Sequence, residues 1–236
     1  MSALVRGSVK ADNSCLFAAT ARLCEGVEAE MPLKACARQL RAMCADAVLA
    51  DPDPETRALM LGHESVDKYC DWIRMDHNWG GEPEVVMLAS HFGVEVNVVS
   101  CESLSLLRYG AADGGDGAAT KGSIYLLYTG QHYDPLLGED GTLVFAAAAA
   151  GDAGAAAAAA AREAAGLDLA RQHNKEAAER ALEKRVNRLK CMGCGAILTD
   201  AAAFQEHCTA VEHDDDFAYD CEEVKITETV DSADAD

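Results

Sequence analysis

The chain has 236 residues, room for one ordinary domain with something small beside it. Half of them are apolar, a share inflated by alanine, and 40 acidic against 20 basic side chains give a formal net charge of −20. Such a surface repels phosphate backbones and argues against nucleic acid as a partner, while no segment has the length and apolarity of a membrane span or a signal peptide.

In chain order, CLFAATARLC (15–24) reads as a helix behind polar Asp12, Asn13 and Ser14, with Gly26 where a stop is expected. A second helix runs from about Pro32 to Ala50, with Leu33, Cys36, Leu40, Met43, Ala47 and Val48 as its apolar stripe. A third spans roughly Ser65 to Met75. The turn Trp79-Gly80-Gly81-Glu82-Pro83, read as packed structure, leads into a helix from about Glu84 to Phe92, closed by Gly93. Val94–Ser100 and Ile124–Tyr128 read as strands separated by a glycine-rich loop, the second apolar throughout and central. Helices first and strands later imply an α/β (α+β) domain with a small sheet.

Past Phe145 the composition shifts. Residues 146–165 are nearly all alanine with glycine interruptions, which specifies no packed core. A charged, solvated connecting helix follows. The expected organisation is a folded domain over 1–145, an Ala-rich linker and charged helix over 146–188, a cysteine/histidine module over 189–215 and an acidic disordered tail over 216–236. With no targeting segment, a cytoplasmic or nuclear location is expected, where the ten cysteines stay reduced and divide among core, metal and reactive roles.

Cys15 is the first candidate for chemistry. A thiol at a helix start faces unpaired N–H groups and the positive end of the dipole, which favour thiolate. His132, just past the end of an apolar strand, is the best base within the sequence, and Asp134 can orient its imidazole. A cysteine at an apolar helix start is more often a buried filler, and a His-Tyr-Asp string more often a surface loop, so spacing alone leaves both readings open.

Three strings resemble the ovarian-tumour (OTU) family of deubiquitinating cysteine proteases, in that family's order over about residues 4–138. Asp12-Asn13-Ser14-Cys15-Leu16-Phe17 resembles its cysteine loop. Trp79-Gly80-Gly81 with Glu84 resembles the opening of its central helix, and Leu127-Tyr128 with Gly130-Gln131-His132-Tyr133-Asp134-Pro135-Leu136 its histidine loop. The pattern is most similar to the yeast-type ubiquitin thioesterase subgroup. The resemblance implies a papain-like fold and hydrolysis of isopeptide or thioester bonds at ubiquitin's C-terminal glycine, with ubiquitin and polyubiquitin chains as partners. It implies Cys15 as nucleophile, His132 as base, Asp134 as orienting acid and Asp12 as the residue that holds the cysteine loop in shape. It also points to protein quality control and ER-associated degradation. Subgroup members often dock on the AAA ATPase valosin-containing protein through an N-terminal ubiquitin-like module, for which this sequence has no room before Cys15.

Cys191-x2-Cys194-x12-His207-x5-His213 has the spacing of a two-Cys, two-His Zn2+ site. Four ligands leave no open position, so the metal is structural, as the resemblance also implies. Cys208 and Cys221 stand as substitute ligands, and Cys24, Cys36, Cys44, Cys70 and Cys101 as core fillers. The competing readings are a ubiquitin-binding adaptor with a dead site, against which the intact Asp12/Cys15/His132/Asp134 set speaks, and a zinc-finger nucleic-acid binder, which the charge opposes.

Overall fold

Two buried faces explain why the central strands are so apolar. In the computed structural model, which describes residues 3–110, 120–147, 152–211 and 220–229, five strands form one mixed sheet in the order β1-β5-β4-β2-β3. They are β1 (Leu4–Arg6), β2 (Glu95–Ser100), β3 (Ser105–Tyr109), β4 (Ser123–Tyr128) and β5 (Tyr133–Gly138). β2 and β4 run parallel, and the other pairs are antiparallel. Alternate residues of each strand point to opposite faces. Val96, Val98, Ile124 and Leu126 therefore join a core with the early helices, while Val99, Tyr125, Leu127 and Leu136 face the other way.

The first face is covered by α1 (Cys15–Glu25), α2 (Glu30–Leu49), α3 (Pro54–Met60), α4 (Val66–Arg74) and α5 (Glu82–Phe92). α1 turns its Leu16, Phe17, Ala19 and Leu23 inward and stops at Gly26, whose φ of 68° is the left-handed cap that glycine adopts freely. α4 starts at Ser65, whose side chain accepts the Lys68 N–H, and α5 at Gly81, whose N–H is taken by Glu84. The buried side of α2 is Leu33, Ala37, Leu40, Arg41, Cys44, Ala45 and Val48, so an arginine sits in the apolar stripe.

The second face is covered by α6 (Ala153–Leu182). The expectation of an unpacked Ala-rich linker and solvated helix is corrected over 165–174. Ala170 is fully buried, Leu167 and Leu169 pack against the sheet, and Gly166 lies so close that a Cβ there would meet Val99 Cγ2 at 2.8 Å. Small residues allow the helix axis to approach a flat sheet. Arg108–Glu163 and Asn174 Nδ2 to Cys101 O add polar ties.

The chain divides into two units after Asn174. In the second unit, β6 (Glu183–Cys191) pairs with β7 (Ile197–Leu198) and with β8 (Cys221–Thr229), and α7 (Ala201–Ala210) begins at Asp200, which accepts the Ala203 N–H. The expected disordered tail from 216 is corrected over Cys221–Thr229, which forms β8 in register with β6 from Cys191↔Cys221 to Glu183↔Thr229. None of the ten cysteines is in a disulfide. No helix among the described residues is long and apolar enough to cross a membrane.

Candidate active site

Helix α1 begins at the thiol itself. Cys15 N donates to Asp12 O at 3.1 Å and Ser14 N to Asp12 Oδ1 at 2.9 Å, so Asp12 closes the turn with its carbonyl and its carboxylate. Cys15 is 7% exposed, and its Sγ accepts the Tyr133 N–H at 3.4 Å. That bond joins the start of α1 to the start of β5 and brings the loop carrying His132 against the thiol.

Burial pushes the Cys15 thiol above its ordinary pKa. The N–H groups of Tyr133 and Leu16 pull it back, and the carboxylates of Asp12 and Asp134 push it up again. The helix start acts in the expected direction through the Leu16 N–H, but desolvation outweighs it. A partner must take the proton.

His132 ends a tight loop after β4. Its carbonyl accepts the Thr129 N–H at 3.0 Å, and Gly130 between them has a φ of +94°, with Glu102 Oε1 only 2.9 Å from where a Cβ would stand. His132 Nε2 lies 3.0 Å from Asp134 Oδ1. Because the carboxylate accepts, the bond assigns a proton to Nε2, so in the neutral ring Nδ1 is the nitrogen with the lone pair. Asp134 is 4% exposed and well held: Oδ2 accepts from Arg6 Nε (2.8 Å) and Nη2 (2.7 Å), and Oδ1 also accepts from Val9 N (3.2 Å). Arg6 Nη1 lies 3.1 Å from His173 Nδ1 on α6. Cys15 is thus held against the backbone of Tyr133, the residue after His132, and His132 is paired with Asp134, while Asp12 lies in the same turn as Cys15. Arg6 and Val9 were not singled out in the sequence.

Nor was Arg41, the largest fully buried side chain among the described residues. Its guanidinium lies over the Phe17 ring, 4.4 Å from the centroid. Nη2 donates to Asn13 O (2.8 Å) and Asn78 O (2.6 Å), Nη1 to Ile73 O (3.0 Å), and Nε and Nη2 to Ser14 Oγ (3.3 and 3.1 Å). Asn13 is tied further, donating Nδ2 to His77 O and accepting from Trp79 Nε1 on Oδ1. The one sequence signal for Arg41 is its place on the apolar side of α2.

A cleft of about 490 Å3 opens over Cys15, walled by Trp79, Gly80, Glu82, Tyr109, Tyr128 and Gln131 among others. Gly80 is needed there, since a Cβ would meet the Phe17 ring at 2.8 Å. Trp79 is half exposed, with its indole N–H fixed by Asn13. A larger groove of about 1040 Å3 borders Asp12, Asn13 and Ser14 but does not reach Cys15. The thiol therefore belongs to the smaller cleft.

In the second unit, the ligand atoms of Cys191, Cys194 and His207 all lie within 4.8 Å of one another. Cys194 Sγ and His207 Nε2 are 3.2 Å apart. Two thiols and an imidazole converging at this spacing fit Zn2+, whose bonds to S and N run about 2.0–2.3 Å. His213, the fourth expected ligand, lies outside the described residues.

A family profile described as OTU-like cysteine protease matches residues 10–133. The chain is 32% identical over 216 residues to a Rattus norvegicus protein named ubiquitin thioesterase OTU1, covering 89% of this chain and 57% of that one. It is 33% identical over 216 residues to the Homo sapiens protein of the same name, covering 89% and 56%. The chain thus spans little more than half the length of these relatives. Among solved structures, an OTU domain in complex with ubiquitin shares the fold with a TM-score of 0.58 at 23% identity, over 73% of this chain and 94% of that one.

Proposed function

Since the chain belongs to the OTU-like cysteine proteases, we propose that it is a deubiquitinase, cutting isopeptide or thioester bonds at the C-terminal glycine of ubiquitin. The observation that carries this reading is the Tyr133 N–H bound to Cys15 Sγ beside a His132–Asp134 pair. Matched relatives named ubiquitin thioesterase, and the ubiquitin bound to a solved domain of the same fold, support the substrate.

The chemistry follows from the tautomer. His132 Nδ1 takes the proton of Cys15, and the thiolate attacks the glycine carbonyl. Charge gathers on the carbonyl oxygen, where a backbone N–H of the cysteine loop meets it. The tetrahedral species collapses as the imidazolium gives its proton to the departing lysine amine, leaving a thioester. Water then enters, loses a proton to His132 and attacks the thioester. The second collapse releases ubiquitin as a carboxylic acid and restores the thiol. Asp134 keeps Nε2 protonated and the ring aimed; Asp12 holds the turn from which Cys15 projects. Glu82 on the cleft wall suits the basic tail of ubiquitin.

We propose further that Cys191, Cys194 and His207, with His213, hold a structural Zn2+ that orders residues 189–215. The metal supplies cross-linking, not catalysis.

The test is a panel of diubiquitins given to the wild type and to Cys15→Ala. At least one linkage is expected to be cut by the wild type, with the mutant slower by roughly a thousandfold or more. Equal cleavage by the two proteins rejects Cys15 as the nucleophile.

A further inference from the structure

We propose that Arg41 is a positioning residue for the hydrolysis: its buried guanidinium locks Asn13 so that the Asn13 N–H points at the oxyanion. This rests on the reading of Cys15 as nucleophile and adds to it the device that holds the oxyanion donor still.

Three of the four amides from Asp12 to Cys15 are already committed. The Asp12 N–H is taken by Lys10 O (2.9 Å), the Ser14 N–H by Asp12 Oδ1 (2.9 Å) and the Cys15 N–H by Asp12 O (3.1 Å). Of these four, from the three residues before the thiol and the thiol's own residue, that leaves the Asn13 N–H with no acceptor among the described residues and placed to meet developing charge. Every other polar group of Asn13 is pinned: the carbonyl by Arg41 Nη2, the side-chain amide by His77 O, and the side-chain oxygen by the Trp79 indole. A donor fixed before the reaction needs no reorganisation when charge appears.

Arg41 is suited to this because its fork is spent on backbone carbonyls and one hydroxyl of the segments around the thiol. Burying a guanidinium costs free energy unless each N–H finds an acceptor. Here the acceptors are the carbonyls of Asn13, Ile73, Asp76 and Asn78 and the Ser14 hydroxyl, drawn from the cysteine loop and from the end of α4 with the loop after it. Its hydrogen-bond acceptors include no carboxylate, so the group does not serve as half of a tight ion pair. A methionine or leucine would fill the same place in the stripe of α2 at less cost. The planar, multi-donor head is what the position uses. It fixes the distance between the cysteine loop and the loop that presents Trp79 and Gly80, and thereby the width of the cleft at the thiol.

The test uses the full chain as wild type, Arg41→Lys and Arg41→Met, below the melting temperature of each. Two rates are compared. Hydrolysis of a fluorogenic C-terminal ubiquitin amide needs the oxyanion donor. Alkylation of Cys15 by iodoacetamide is a direct displacement at sulfur and needs none. Arg41→Met is expected to lose roughly a hundredfold in kcat, the scale of one oxyanion donor, with KM within about threefold. Its alkylation rate should stay within about twofold of wild type across pH. Arg41→Lys should recover part of the loss, since one ammonium replaces only some of the donors. If Arg41→Met does not fold, Asn13→Ala keeps Arg41 and cuts the side-chain ties of Asn13; it should show the same split at smaller size. Parallel loss of both rates, or unchanged kcat, overturns the proposal. A wild type with no turnover overturns the deubiquitinase reading and this one together, whereas turnover equal in wild type and variants overturns this one alone.

Discussion

The two units are held together by different physics. In the first, residues 3–174 bury Phe17, Leu16, Leu88, Ile124, Leu126 and Leu127 at or near zero exposure on both faces of a sheet. In the second, the only buried side chain among those described is Cys191, itself a candidate ligand. Apolar burial stabilises at about 25 cal/mol per Å2, so the first unit has ample means and the second almost none. With no apolar core among its described residues, such a module needs another closure, and the thiols and imidazole within 4.8 Å of one another are the candidate for it.

The sharpest way to break this contrast is to remove metal. Structural zinc sites of this kind contribute about 10–16 kcal/mol of folding free energy. A strong chelator should collapse the amide NMR signals of residues 191–211 while leaving those of β2 and β4 dispersed. Ubiquitin hydrolysis should persist within about threefold. Loss of both sets of signals would mean that the units share one stability. The reverse experiment empties the apolar core: Leu126→Ala, at a fully buried position of β4, should cost the first unit about 2–5 kcal/mol in a denaturant titration. The zinc-dependent signals of the second unit should melt at the same denaturant concentration as in wild type.

The contrast also marks what was legible in the sequence. Cys15, His132 and Asp134 stood out because each sits at an end of a periodic segment, where local rules speak. The metal ligands stood out because spacing alone carries them. Arg6 and Arg41 did not, since their hydrogen-bond partners lie 128 or more and 27 or more positions away and no periodicity links them. β5 reads as a loop, because Pro135 lacks a ladder donor; its carbonyl still pairs, accepting from Gly7 N at 2.8 Å. α6 was misread for a physical reason. Alanine and glycine carry too little apolar surface to announce a core, yet at Gly166 and Ala170 it is smallness that lets the helix lie against Val99.

The smallest expected effect concerns the thiol and separates two accounts of its reactivity. If the helix start alone favoured thiolate, Cys15 would ionise easily without any base. The surroundings argue the other way, with burial raising its pKa first and the N–H groups of Tyr133 and Leu16 only partly offsetting that. His132→Ala removes the proton acceptor and leaves those surroundings in place. A raised pKa means less thiolate at any given pH, so iodoacetamide labelling of the Cys15 peptide, followed by mass spectrometry, should rise only at pH values above those for N-acetylcysteine. Wild-type labelling should already be substantial where the variant is silent, because the proton can pass to Nδ1. The displacement is modest in free energy, as one pH unit is about 1.4 kcal/mol. A variant curve at or below that of the reference thiol would show that the helix start outweighs desolvation, and His132 would then be needed for the leaving amine but not for making the nucleophile.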